Sequence, residues 1–206
     1  MRMVISDPTS PILLSHTELD QLIELGYVIR NDSLPEQLAR DLYEAACHSQ
    51  GFQQAGLTQG IRNSGIRRDH IRWLNEESEP DSHYLQVLEQ LSLQLNQSLY
   101  CGIRRIEAHY SQYQDGGFYQ WHQDNPAGRN ERVFSTVLYL NPHWNAEHGG
   151  QLEFVPLTAS GAQASLSIEP FWNRLIIFNS DCQHRVLPAL HPRTAIAGWL
   201  RSDEVI

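Results

Sequence analysis

No stretch of this 206-residue chain approaches the roughly 18 consecutive apolar residues that a membrane helix needs. Its first residues offer only Val4 and Ile5 before Asp7 and Pro8, too little for the apolar region of a signal peptide. Membrane insertion and secretion are therefore not expected. Cysteine is scarce: Cys47, Cys101 and Cys182 are odd in number and far apart, which suits free thiols in a reducing compartment better than a disulfide framework. A cytoplasmic location is the expectation. Positive charge is short as well, with 15 Lys and Arg against 24 Asp and Glu and a formal net charge of −9. No chain-wide footprint for gripping a phosphate backbone results, so nucleic acid is not an expected partner despite the local run Arg62, Arg67, Arg68 and Arg72.

What is present suits one packed domain over 1–206. Hydrophobic residues make up 41% and charged residues 19%, in the range of globular chains. The first hundred residues read as helical support. Ser33 and Glu36 have the spacing of a capping box, after which Leu38, Leu42, Ala45 and Ala46 recur at helical steps. Leu88, Leu91, Leu95 and Leu99 share one face of a second helix. Between them, Gly51 to Gly65 is rich in Gln, Gly, Asn and Ser and reads as a long loop of the kind that forms lids. From about 101 the texture changes to short β-rich runs at 103–113, 117–123, 132–140, 151–155, 164–168, 173–178, 184–188 and 194–201. Strands that follow helices in this way predict an α+β protein with a double-stranded β-helix, or jelly-roll, core of antiparallel strands.

His122 and Asp124 are two residues apart, a spacing that puts both side chains on one face of a strand. With 10 histidines in the chain, such a pair arises about half the time by chance, so the third candidate matters. His184 opens another strand. Two histidines and one carboxylate form the facial triad that leaves iron positions open for a chelating co-substrate and oxygen, whereas a closed zinc site would want four ligands. Arg193 lies nine residues beyond His184. If 184–188 and 194–201 are neighbouring strands, its planar fork could take the far end of a dicarboxylate.

With these residues placed, the run Tyr113-Gln-Asp-Gly116-Gly-Phe118-Tyr119-Gln-Trp-His122-Gln-Asp124 resembles the Y-x-x-G-x-F-[FY]-x-x-H-x-D signature of the 2-oxoglutarate- and Fe(II)-dependent oxygenases, in their prolyl 4-hydroxylase branch. Asn125-Pro126, Arg132, Tyr139-Leu140-Asn141, Gly149-Gly150-Gln151-Leu152, His184 and Arg193 follow in the family's order. The likeness runs from about Arg62 to Arg201 and is greatest to the HIF prolyl hydroxylases and their bacterial relatives acting on elongation factor Tu. It implies a dioxygenase that uses Fe(II), 2-oxoglutarate and O2, with ascorbate as a reductant. Iron would be held by His122, Asp124 and His184. The distal carboxylate of 2-oxoglutarate would lie on Arg193 and Tyr139, and Tyr113 would bond near its chelating end. Trp199 and Tyr119 would wall the substrate pocket, while Gly149 and Gly150 would shape a turn. Arg67-Arg68-Asp69-His70-Ile71-Arg72-Trp73 resembles the family's R-G-D-x-x-x-W element after its mobile substrate loop, with Arg68 in place of the glycine. By position Gly51 to Gly65 would be that lid, and Asp69 is expected to pair with Arg132 when it closes. Ala197 stands where the HIF enzymes carry a threonine.

The resemblance implies a prolyl residue of a protein or peptide as substrate, with elongation factor Tu a candidate. A hydroxylase of free amino acids or metabolites is the first rival, and a non-catalytic sensor of oxygen or 2-oxoglutarate the second. A nucleic-acid demethylase would carry a second arginine where this chain has Trp199.

Overall fold

The computed structural model describes residues 12–56, 65–125, 131–158, 161–162 and 164–203. The chain opens with α1 (His16–Leu25), β1 (Tyr27–Arg30), α2 (Glu36–His48), β2 (Gln53–Gln54), β3 (His70–Trp73) and α3 (Glu79–Leu99). Among the described residues ten strands follow: β4 (Arg105–Tyr113), β5 (Gly117–His122), β6 (Arg132–Tyr139), β7 (Leu152–Val155), β8 (Leu157–Thr158), β9 (Gly161–Ala162), β10 (Leu166–Ile168), β11 (Arg174–Asn179), β12 (Gln183–Ala189) and β13 (Arg193–Arg201). A major sheet runs β1-β11-β6-β13-β4-β3-β2, and a minor sheet runs β10-β7-β12-β5. The neighbours in both sheets are antiparallel. This is the expected α+β jelly roll.

Alternation along the central strands divides the interior in two. Ala108 and Tyr110 of β4, Leu138 of β6, Leu175 and Ile177 of β11, and Ile196 and Leu200 of β13 join one core with the buried leucines of all three helices. Their neighbours Tyr113, Tyr139, Ile176, Phe178 and Ala195 face the minor sheet and pack with Leu152, Phe154 and Val186. One pleat therefore serves helices on one side and the inter-sheet space on the other. The cavity-facing residues of β4 and β13 are the odd-numbered ones, which is where His109, Arg193 and Trp199 fall.

α1 begins at a capping box in which Ser15 accepts from the Glu18 N–H and Glu18 accepts in return, and it stops at Gly26 with φ 78°. A Cβ there would lie 2.4 Å from the Leu157 carbonyl oxygen, so only glycine fits. The expected box at Ser33 is absent. α2 starts after Pro35 without a side-chain cap, because the Ser33 hydroxyl donates to Asn173, to its carbonyl at 3.0 Å and its side-chain oxygen at 3.2 Å. Two further expectations change. β12 and β13 are not neighbours but lie in different sheets, so the chain crosses between layers at Pro188–Pro192. Short strands β1 and β3 extend the major sheet from the region read as helical and loop. Most of the loop read as a lid, 57–64, lies outside the described residues.

α3 is locked to the sheet through Asp81, whose side chain is 0% exposed. It accepts from Arg72 at 2.9 and 3.3 Å, from the Asn75 N–H at 3.3 Å and from the Tyr110 hydroxyl at 2.7 Å. Asp81→Ala would strand a buried guanidinium and hydroxyl together. The expected loss is roughly 3–5 kcal/mol, read from the urea unfolding midpoint, against under about 0.5 kcal/mol for removing the exposed Arg40–Glu36 pair.

Candidate metal and co-substrate site

His122 ends β5 and His184 stands near the start of β12, directly opposite in register. Opposed residues of an antiparallel pair project from the same face, and the two imidazole centroids are 4.1 Å apart. Asp124 lies just past β5 rather than on it. Its N–H donates to the Ser180 carbonyl at 3.2 Å. Its Oδ2 accepts from the Ser135 hydroxyl at 2.6 Å, and that hydroxyl is 2.9 Å from the Ser180 hydroxyl. His122 Nε2 is 3.8 Å from Asp124 Oδ1, and His184 Nε2 is 3.7 Å from Asp124 Oδ2.

The second nitrogen of each ring defines the tautomer. His122 Nδ1 is 2.8 Å from the Gln120 carbonyl and His184 Nδ1 is 3.0 Å from that of Cys182. A carbonyl only accepts, so each Nδ1 carries the proton and each Nε2 lone pair is left facing Asp124. Electrostatics agrees. Burial first, and then the neighbouring His184, holds His122 down at about 3. Burial by itself would raise Asp124, but His184, His122 and the Ser135 hydroxyl bring it to about 2. At neutral pH His122 is therefore an uncharged imidazole and Asp124 a carboxylate, the state in which each can bind a metal. Two nitrogens and one oxygen, their ligand atoms all within 4.8 Å of one another, fit an open iron(II) site.

Deeper between the sheets, Arg193 begins β13 opposite Tyr113 and is 3% exposed. Its guanidinium carbon lies 4.9 Å from the Tyr113 ring and 5.1 Å from the Tyr139 ring, and its Nε donates to the Gly150 carbonyl at 2.8 Å. Among the described residues no carboxylate pairs with it, and the buried Tyr139 hydroxyl has no hydrogen-bond partner. Burial pushes the Tyr139 phenol up to about 12 and raises Tyr113 further, so both remain donors. A buried cation without a counter-charge, beside an orphaned hydroxyl, calls for an anionic ligand. The far carboxylate of a keto-diacid fits that demand. Gly150 does more than shape a turn: with φ 72°, a Cβ on it would lie 2.8 Å from Arg193 Cδ.

An open cleft of about 340 Å³ leads to this cavity, walled by Arg67, Trp73, His109, Tyr119, Arg132 and Trp199. Trp199 and Tyr119 both line this cleft. Arg132 covers the Trp199 ring at 3.9 Å and donates to Glu107 at 2.7 Å. The expected Asp69–Arg132 pair is absent. Asp69 is fully buried and takes Arg67 instead, at 2.6 and 2.8 Å, together with the Ser111 hydroxyl at 3.2 Å. Arg132 is already held by Glu107, two strands away in the same sheet. Sequence reading also passed over His109, which sits edge-on between Trp73 and Trp199. Burial, and then the Arg67 charge, holds it neutral with a pKa of about 4. Nothing in the β4 run Arg105–Tyr113 gave a signal for it, and nothing local marked Ser135.

A jelly roll that gathers two imidazoles and a carboxylate at its mouth, above a buried unpaired arginine, defines a non-haem iron oxygenase scaffold. Residues 108–201 match the model of the 2OG-Fe(II) oxygenase superfamily. An uncharacterised PKHD-type hydroxylase of Synechocystis is 30% identical over 129 residues, covering 56% of this chain and 42% of that protein. The chain thus matches less than half the length of this curated relative. A crystal structure of a Pseudomonas putida prolyl-4-hydroxylase is 32% identical with a TM-score of 0.80, covering 91% of this chain and 98% of that one. A Trichoplax adhaerens prolyl hydroxylase, in complex with a hypoxia inducible factor peptide fragment, is 25% identical with a TM-score of 0.78, covering 90% and 87%. The chain belongs to the 2OG-Fe(II) oxygenase superfamily, in its prolyl 4-hydroxylase branch.

Gly150→Ala tests the anchor without touching a polar group. The added methyl displaces the Arg193 stem, so calorimetry on Mn(II)-loaded protein is expected to give a 2-oxoglutarate Kd raised at least about tenfold, with Mn(II) affinity unchanged.

Proposed function

We propose that this chain is a 2-oxoglutarate-dependent dioxygenase that hydroxylates an unactivated C–H bond of a prolyl residue in a cytoplasmic protein, releasing succinate and CO2. The observation that carries the reading is the shared cavity: His122, Asp124 and His184 line the same space as Arg193 and Tyr113. When bound, iron(II) and 2-oxoglutarate supply the oxidising chemistry, one atom of O2 going to succinate and the other to the substrate carbon.

The protein's own part is placement and exclusion. His122, Asp124 and His184 would hold the metal. Arg193 and Tyr139 would take the distal carboxylate of the co-substrate, and Tyr113 would bond near its chelating end. Leu152, Phe178 and Val186 make the cavity wall apolar, which limits water near the reacting atoms. The cleft outside is open and aromatic, with Trp199 and Tyr119 reaching both the cleft and the inner cavity. A pyrrolidine ring packs well against such faces, and an open cleft accommodates the rest of a polypeptide. The prolyl hydroxylases it resembles in structure support this choice over a free amino acid or metabolite.

The test is proteomic mass spectrometry of a cytosolic extract, with purified elongation factor Tu as one added substrate. Each reaction contains Fe(II), 2-oxoglutarate, ascorbate and either wild-type protein or Asp124→Ala. A one-oxygen gain on proline in one or a few proteins, seen only with wild type, is the expected outcome. Succinate release with no protein modified would move the reading to a small-molecule hydroxylase. No succinate under any condition would leave only a binding or sensing role.

A further inference from the structure

His122 and His184 are not secured alike. His184 is 7% exposed at its side chain and has the Phe178 ring edge-on at 5.0 Å, so the core fixes its plane. His122 sits at the end of an outer strand, with 16% of its side chain exposed. Its Nδ1 bond to Gln120 restrains the ring but leaves one face open. Tyr119 covers that face, stacked at 3.5 Å with an interplanar angle of 15°.

Residues three apart on a regular strand face opposite ways. Here the register shifts between His184↔His122 and Val186↔Tyr119, so β5 carries an extra residue against β12, and this bulge turns Tyr119 onto the side of His122. The far face of Tyr119 is taken by Arg67, whose guanidinium carbon is 4.6 Å from the ring. Arg67 in turn is gripped by Asp69 through two bonds and is tied to β5 by its own backbone. It bridges to Tyr119, the Arg68 N–H donates to Phe118 at 2.8 Å, and the Gln120 N–H donates to Ile66 at 2.9 Å.

We propose that Arg67 is a positioning residue for the metal centre: clamped by Asp69, it holds Tyr119 flat against His122, so metal affinity depends on a side chain that touches no ligand atom. The inference rests on the metal-centre reading above. The chain of contact Asp69, Arg67, Tyr119, His122 sets the ring plane, and with it the direction of the Nε2 lone pair. Outer contacts of this kind govern metal affinity because a misdirected lone pair loses overlap.

The test reads Mn(II) binding alone, from the free-ion signal in electron paramagnetic resonance, with Asp124→Ala defining loss of the site. Arg67→Gln keeps a donor for the buried Asp69 carboxylate and removes the cationic plane, while Tyr119→Leu removes the stack. Each is expected to weaken Mn(II) roughly tenfold, and Tyr119→Phe, which keeps the ring, to bind like wild type. Because Arg67 acts through Tyr119, the double variant should be no weaker than Tyr119→Leu within about twofold. Losses that add, or an Arg67→Gln protein that melts earlier yet binds Mn(II) normally, would overturn the proposal. A wild-type protein that binds no Mn(II) would instead defeat the metal-centre reading, and the inference with it.

Discussion

The opposition of His122 to His184 across β5 and β12 is the constraint on which the rest of the site depends. Two imidazoles share a face only in this register, and a slip of one residue would turn every side chain of the shifted strand to the other side. The register is held by the apolar layer beneath. His184 is also opposite Phe154 on β7, and Phe154 packs against Tyr27 and Phe178. The inter-sheet core therefore fixes the donor set before any ligand is present, and Asp124 needs only the Ser180 carbonyl and the Ser135 hydroxyl to complete it.

Arg193 shows the opposite economy. Its burial opposes folding, since the tyrosine faces and one carbonyl do not replace the water a guanidinium gives up. Such an arrangement persists where function requires it, and an anion that satisfies the fork adds its binding free energy to the folded state alone. The co-substrate is thus expected to act as part of the fold's electrostatic balance as well as its chemistry.

The donor set was legible because its information is local: His122 and Asp124 are spaced by the strand repeat, and the jelly roll follows from short alternating segments after helices. Arg193 and Trp199 were legible through family order, although the strand adjacency first assumed for Arg193 was wrong. Partner choices were not readable. Asp69 could have bonded any nearby arginine; it takes Arg67, two residues away in the chain, while Glu107 occupies Arg132. Ser33 was misread for the same reason, its hydroxyl being claimed by Asn173, 140 residues away. The β5 bulge, which brings Tyr119 to the side of His122, has no sequence mark at all.

β5 is the outermost strand of the minor sheet, and the stretch from Ile66 to Arg68 lies along its outer side, bonded to Phe118 and Gln120. An uncovered strand edge is a template on which another chain can add a strand of its own. Here that edge would lie beside His122, so a stray pairing would cost both solubility and the order of the donor set. The three-residue cover takes up the hydrogen bonds of that edge at Phe118 and Gln120, so the same short piece of backbone that carries Arg67 onto Tyr119 also closes the strand to such pairing.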